Sequence, residues 1–181
     1  MSPFITLPGN NSVHGAIVPI ASATRTGDSN NTVFTNIPQT YQDLMIVANL
    51  RSAKSAMIEN FNIGIYNQNN IYSQTRLYTN GSTITSDRGT GQYFSYLGYV
   101  PAGYAAPYVY GSAIGHILNY TSSYNKTFLV RTSSDAIGSG TIGFAVGLAQ
   151  YTQPITSLFV STEFTNTYGT VNLYGIRSAG Q

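Results

Sequence analysis

Charged residues are scarce in this sequence, and cysteine is absent. Asp, Glu, Lys and Arg together make up 8% of the 181 residues, against about 25% in an average soluble domain. Because an exposed helix normally carries Glu and Lys on its outer face, so little charge disfavours long helices. The absence of cysteine excludes disulfides, thiolate zinc sites and a cysteine nucleophile.

Basic clusters and long apolar runs are also missing. The eight Lys and Arg residues are scattered and leave a net charge of +2, so no surface is expected to bind the phosphate backbone of a nucleic acid. No apolar run approaches the roughly 18 residues of a membrane helix. Residues 1–4 lack the basic and apolar regions of a secretory signal. We therefore expect no nucleic-acid partner, no membrane contact and no secretion.

What the sequence does contain is short alternating runs separated by turn residues. It has 15 Tyr and 18 Gly, and about nine or ten runs at hairpin-like spacing predict an all-β protein. The expected architecture is an antiparallel β-sandwich of jelly-roll type. Residues 43–51 are apolar on both faces and predict a strand that lies centrally or under a second layer. Residues 60–66 predict a strand in a hairpin with the strand that begins at Ile71, whereas residues 84–92 are interpreted as a loop.

Residues 1–30 predict an extended N-terminal arm ahead of a sandwich domain of residues 31–181. Prolines limit regular structure in this arm, yet it is too apolar for a free tail. Its apolar groups are expected to be buried either against the same domain or against a neighbouring subunit. The residues expected to make this contact are Phe4, Ile5, Leu7, Val13, Ile17 and Val18.

Residues 71–82 combine an eight-residue β pattern with an Asn-Gly turn. Alternation predicts that one mixed face covers the core and that the other face points outward. The outward face is interpreted as an intersubunit contact or as an ordinary solvent-facing tyrosine stripe. It consists of Tyr72, Gln74, Arg76 and Tyr78.

Two further segments have patterns of their own. Residues 142–150 alternate large apolar side chains with Gly and Ala. This pattern fits one face in a core and the other pressed closely by a backbone or a neighbour. In and after the loop 101–107, Tyr104 and Tyr108 are candidates for surface recognition, because tyrosine makes adaptable contacts with proteins and sugars.

No group of residues predicts catalysis. His116 lies in the middle of a predicted strand, where a structural role is the better interpretation. The six carboxylates share no motif of the paired type that glycosidases need. Asp28, Asn30 and Thr32 alternate like calcium ligands but lack the glycine and the distant glutamate of such loops. We expect no enzyme, no catalytic residue, no metal and no cofactor; a carbohydrate-active enzyme is the least favoured class.

Several short segments occur in an order that is similar to one protein family. They are residues 34–44 (FTNIPQTYQDL), 72–82 (YSQTRLYTNGS), 86–90 (SDRGT), 116–120 (HILNY) and 171–176 (VNLYGI). Together they resemble small virion structural proteins of tailed bacteriophages, including cyanophages. The resemblance implies a β-sandwich on a phage head or tail, and it transfers no catalytic residues.

A compact sandwich with an arm and no fibrous stalk favours a capsid cement or decoration protein. The expected location is the capsid exterior, after synthesis in the host cytoplasm. The expected partners are the major capsid protein and further copies of the same chain, in a homotrimer. The alternative is a receptor-binding module of a tail or head fibre that binds glycans through Tyr104 and Tyr108.

Overall fold

All regular structure in the described part of the chain is β. The computed structural model describes residues 16–137, 139–163 and 166–178. No helix in these segments is long or apolar enough to cross a membrane. The strands are β1 (Ile17–Thr26), β2 (Asn31–Phe34), β3 (Asp43–Ser52), β4 (Ile58–Ile65), β5 (Tyr72–Thr79), β6 (Ile84–Gln92), β7 (Ser95–Pro101), β8 (Gly111–Leu118), β9 (Lys126–Asp135), β10 (Gly140–Ala149), β11 (Leu158–Thr162) and β12 (Thr167–Ile176).

The strands form two antiparallel sheets that pack face to face. The larger sheet has eight strands in the order β1-β12-β3-β8-β9-β10-β5-β6, and the smaller sheet has four in the order β2-β11-β4-β7. Strand β7 packs over β8, β9 and β10 of the larger sheet. The predicted antiparallel sandwich is therefore confirmed, and so is the central position of β3, whereas the jelly-roll type stays a prediction.

The core lies between the sheets and is built from alternate residues of their strands. From the larger sheet, Leu44, Ile46 and Phe128 are at most 1% exposed, and Phe61 and Ile63 of β4 meet them from the smaller sheet. Phe61 and Ile63, two alternate residues of the strand predicted for residues 60–66, therefore both face the core. Full burial of one such side chain stabilises a fold by about 1.5–3 kcal/mol.

Strand β10 turns its small residues, not its large ones, toward the smaller sheet. A Cβ atom on Gly147 would collide with the side chain of Ser95, and one on Gly115 of β8 would lie 2.7 Å from Leu97 Cδ2. These glycines allow β7 to lie close to the larger sheet. The close approach expected for one face of residues 142–150 is found on the small face, which is also the face toward the core, whereas the large face points outward and Phe144 is 58% exposed.

Two connections differ from the sequence-based expectation. Residues 84–92, interpreted as a loop, form the edge strand β6, which pairs with β5. Strands β4 and β5 do not form a hairpin, because β4 belongs to the smaller sheet and β5 pairs with β10 and β6. The predicted Asn-Gly turn joins β5 to β6, where Gly81 has a φ of 90° and Asn80 Oδ1 accepts hydrogen bonds from the N–H groups of Ser82 and Thr83 at 3.0 and 2.9 Å.

Part of the predicted arm is the first strand of the larger sheet. Ile17 and Val18 begin β1, which pairs with β12 along its length. Arg25 of β1 is 4% exposed, and its guanidinium donates hydrogen bonds to Thr32 Oγ1 at 2.9 Å and to the carbonyl oxygen of Val160 at 2.6 Å. These bonds connect β1 to the smaller sheet. The other four predicted arm contacts lie outside the described residues: Phe4, Ile5, Leu7 and Val13.

Candidate interaction surface

The face of the larger sheet that points away from the smaller sheet has an apolar middle. We call it the outer face. Two adjacent rows of cross-strand neighbours cross its middle from β3 to β5. The first row is Val47, Ile114, Arg131, Phe144 and Leu77, and the second row is Met45, His116, Leu129, Val146 and Thr75.

Large apolar side chains on this face are exposed and adjacent. Phe144 is 58% exposed, and Leu129 and Val146 are each 44% exposed. We call the group the apolar patch; it consists of Leu77, Leu129, Ile142, Phe144, Val146 and Leu148. A soluble monomer rarely exposes a contiguous apolar patch larger than a few hundred Å², and a patch of that size usually marks a binding surface.

The middle of the outer face is concave. A groove of about 630 Å³ runs along it and is lined mainly by apolar side chains. Its lining includes Leu77, Ile114, His116, Leu129, Arg131 and Phe144. A groove of this shape and chemistry can receive a protruding apolar partner, and its lining contains no pair of carboxylates for acid–base chemistry.

The charges in and beside the two rows of the outer face are positive. Arg131 lies in its first row, and Arg88 of β6 lies opposite Thr75 of the second row. The six carboxylates of the chain all lie in described residues, and none lies in these two rows. Asp87 of β6 lies beside the rows but pairs with Arg76, and on the outer face the nearest carboxylates are at strand ends, on Asp43 and Asp135.

The strand predicted to offer an outward tyrosine face is turned the other way. Tyr72 is 1% exposed and Gln74 is 8% exposed, and both lie between the sheets. The Tyr72 hydroxyl accepts a hydrogen bond from the Ile65 N–H at 2.6 Å, and Gln74 Oε1 accepts one from the Tyr96 N–H at 2.6 Å. Their predicted role as exposed intersubunit contacts is therefore wrong.

Arg76 belongs to the same inward face and is bonded within the chain. Its Nε and Nη2 donate to the two carboxylate oxygens of Asp87 at 2.7 and 2.5 Å, and its guanidinium carbon lies 4.9 Å from the Tyr96 ring centre. The hydrogen bond to Asp87 raises the pKa of Arg76. Tyr78 packs edge-on against Tyr99. An intersubunit contact of Arg76 and Tyr78 stays a prediction, with Nε and Nη2 of Arg76 already bonded to Asp87.

Tyr104 and Tyr108 are exposed on a loop that is held in place. Their exposures are 67% and 91%, and Tyr108 has a left-handed φ of 63°. Arg51 donates hydrogen bonds to the carbonyl oxygens of Ala105 at 3.0 Å and Ala106 at 2.8 Å. Because the loop is tied to β3 in this way, its tyrosines are presented to solvent in a defined arrangement.

The described residues contain no group of three or more His, Cys, Asp or Glu side chains that could hold a metal ion. Hydrogen bonds from Asn60 and Lys54 lower the pKa of Glu163, so this carboxyl is not poised as a general acid. His116 lies on the outer face with a buried Nε2 that has no hydrogen-bond partner.

Sequence reasoning did not single out Arg131, Leu129 or Phe144. The available signal was the hairpin of β9 and β10. On β10 large residues alternate with Gly and Ala, and on β9 the exposed Leu129 and Arg131 alternate with the buried Phe128 and Val130. Pairing those two patterns in register would have placed the large residues together on one face. This sequence matches no protein-family profile and no curated protein.

Proposed function

We propose that this protein is a non-enzymatic structural protein of a phage virion, most specifically a cement protein on the capsid exterior. The main support is the apolar patch of Leu77, Leu129, Ile142, Phe144, Val146 and Leu148 on the outer face. The resemblance of the sequence to virion proteins of tailed phages supplies the biological setting. The expected partner is the major capsid protein.

Covering the outer face would make a useful lattice contact. At about 25 cal/mol per Å², burial of even a few hundred Å² contributes several kcal/mol, part of which is lost to the entropy of association. Many copies bound to one shell add their contributions, so a modest contact per copy still strengthens the particle. The low charge of the chain, 8% of residues, suits a surface that is largely covered in an assembly. The homotrimer stays a prediction.

Cryo-electron microscopy of virions from the parent phage tests this proposal. We expect density for the sandwich on the capsid exterior, with the outer face turned toward the capsid subunits. Particles made without the gene should lack this density and should regain it when purified protein is added. Density at a fibre tip, or particles that fail to bind the purified wild-type chain, would overturn the proposal.

A second candidate function is glycan binding by a fibre module, which the exposed loop tyrosines favour. Aromatic rings stack on the apolar faces of sugars, and the loop that presents Tyr104 and Tyr108 is held by Arg51. If this function holds, the double variant Tyr104→Ala, Tyr108→Ala should lose cell adsorption and glycan-array binding. The matched control is Tyr124→Ala, which removes a tyrosine that is 77% exposed in the turn between β8 and β9.

A further inference from the structure

Arg131 is the centrally placed cation of the outer face. Its cross-strand neighbours are Ile114 on β8 and Phe144 on β10. In the described segments the ion pairs are Lys54–Glu163 and Arg76–Asp87, and neither includes Arg131. Arg131 is an exposed residue of β9, so its side chain lies in water between large apolar groups, with no acid of its own chain in either row.

Any partner that covers the apolar patch must also cover Arg131. A guanidinium taken out of water without a partner is costly, whereas a carboxylate can bind it with two parallel hydrogen bonds. Building on the function proposed above, we infer that the outer face docks an apolar ridge of another protein, and that this ridge carries a carboxylate that pairs with Arg131. The groove of about 630 Å³ receives the ridge.

A second copy of this chain fits the outer face poorly. The carboxylates of the face are at its periphery, on Asp43 and Asp135. A two-fold axis through the middle of the apolar patch would bring the two Arg131 guanidinium groups together, and like charges in a buried contact repel. Residues 1–15 contain no Asp or Glu, so this segment could cover apolar groups but could not neutralise Arg131.

Other macromolecules also match the face less well than an acidic protein ridge. Nucleic acid binding needs several cations along a backbone, and the two rows with their β6 neighbour supply two arginines, Arg88 and Arg131. A lipid surface is met by side chains that protrude into it, whereas the middle of this face is a groove.

Binding of purified chains to particles made without the gene tests the inference. Arg131→Glu should weaken binding by about 100-fold, because it puts two carboxylates in contact within a buried interface. Arg131→Gln should weaken it less and should remove most of the salt dependence of the wild-type affinity. The matched control is Arg177→Glu, the same charge change after the end of β12, three strands from β9 in the sheet. We expect it to bind like the wild type.

The outcomes separate the two proposals. If the wild-type chain does not bind particles, the proposed function fails. If the wild type binds particles and both Arg131 variants bind them with the wild-type affinity, the proposed carboxylate partner of Arg131 is refuted. Sedimentation of the purified chain supplies a further check, since self-association that Arg131→Gln strengthens, by removing the repulsion between two guanidinium groups, would identify a second copy as the occupant and overturn the inference. Circular dichroism melts of each variant confirm that the fold is retained.

Discussion

The triple variant Leu129→Thr, Phe144→Thr, Val146→Thr is expected to lose particle binding while its fold remains intact. All three side chains are exposed on the outer face, so their truncation leaves no cavity. Threonine is β-branched and keeps the strand preference of these positions. We therefore expect the free energy of unfolding to change by about 1 kcal/mol in total, as is usual for surface substitutions.

The expected effect on binding is much larger. Buried apolar anchors near the centre of an interface typically account for most of its affinity, and these three residues line the groove. A loss of about 100-fold or more in affinity for particles made without the gene is expected. Urea unfolding and a particle co-sedimentation assay, performed on the same preparations, measure the two effects separately.

The control variant changes a residue next to the apolar patch but on the opposite side of the sheet. Phe128 precedes Leu129 in β9 and is 1% exposed in the core, so Phe128→Ala should cost about 3–5 kcal/mol of stability. If the triple variant loses a comparable amount, the patch contributes to a core. If it binds particles as tightly as the wild type, the outer face is not the contact.

Strand periodicity was readable from the sequence, but the direction of each face was not. In β10 the alternation of large and small residues is correct, yet it does not say which set points inward. The small set does, because β7 lies so close that only a glycine fits opposite Ser95. In β5 the long side chains of Gln74 and Arg76 point inward because they bond to Tyr96 of β7 and Asp87 of β6. These partners cannot be identified until the order of the strands is known.

Strand β6 and the pairing of β4 were missed for related reasons. Residues 84–92 form an edge strand with exposed or half-buried positions throughout, so no hydrophobic alternation marks it. The segment after β4 crosses from the smaller sheet to the larger one, although its turn residues fit a hairpin equally well. The apolar patch likewise depends on the register of β8, β9, β10 and β5, which is set by long-range pairing.

Buried tyrosines should make the protein labile at alkaline pH. Tyr72 and Tyr96 are 1% and 2% exposed; burial raises the pKa of Tyr72 to about 12 and raises the pKa of Tyr96 further still. The unfolded chain, with tyrosine pKa values of about 10, therefore ionises first. Ionisation of these two tyrosines therefore leaves the free energy of unfolding unchanged below about pH 10. Above that pH the free energy of unfolding falls, with a limiting slope of about 1.4 kcal/mol per pH unit for each buried tyrosine.

Tyr96→Phe isolates this effect. The Tyr96 hydroxyl lacks a well-formed hydrogen bond, so its removal should leave stability at neutral pH nearly unchanged. Tyr72→Phe is less suitable, because it would leave the Ile65 N–H without its hydrogen-bond acceptor. Between about pH 10 and about pH 11, we expect the free energy of unfolding, measured by urea titration, to fall by about 1 kcal/mol less in Tyr96→Phe than in the wild type. Tyr108→Phe, which alters a tyrosine that is 91% exposed, should keep the wild-type slope. Because the buried tyrosines should ionise only on unfolding, the part of the tyrosinate absorbance that Tyr96→Phe removes should appear together with the loss of β signal. A slope in Tyr96→Phe equal to that of the wild type would mean that Tyr96 ionises in the folded protein.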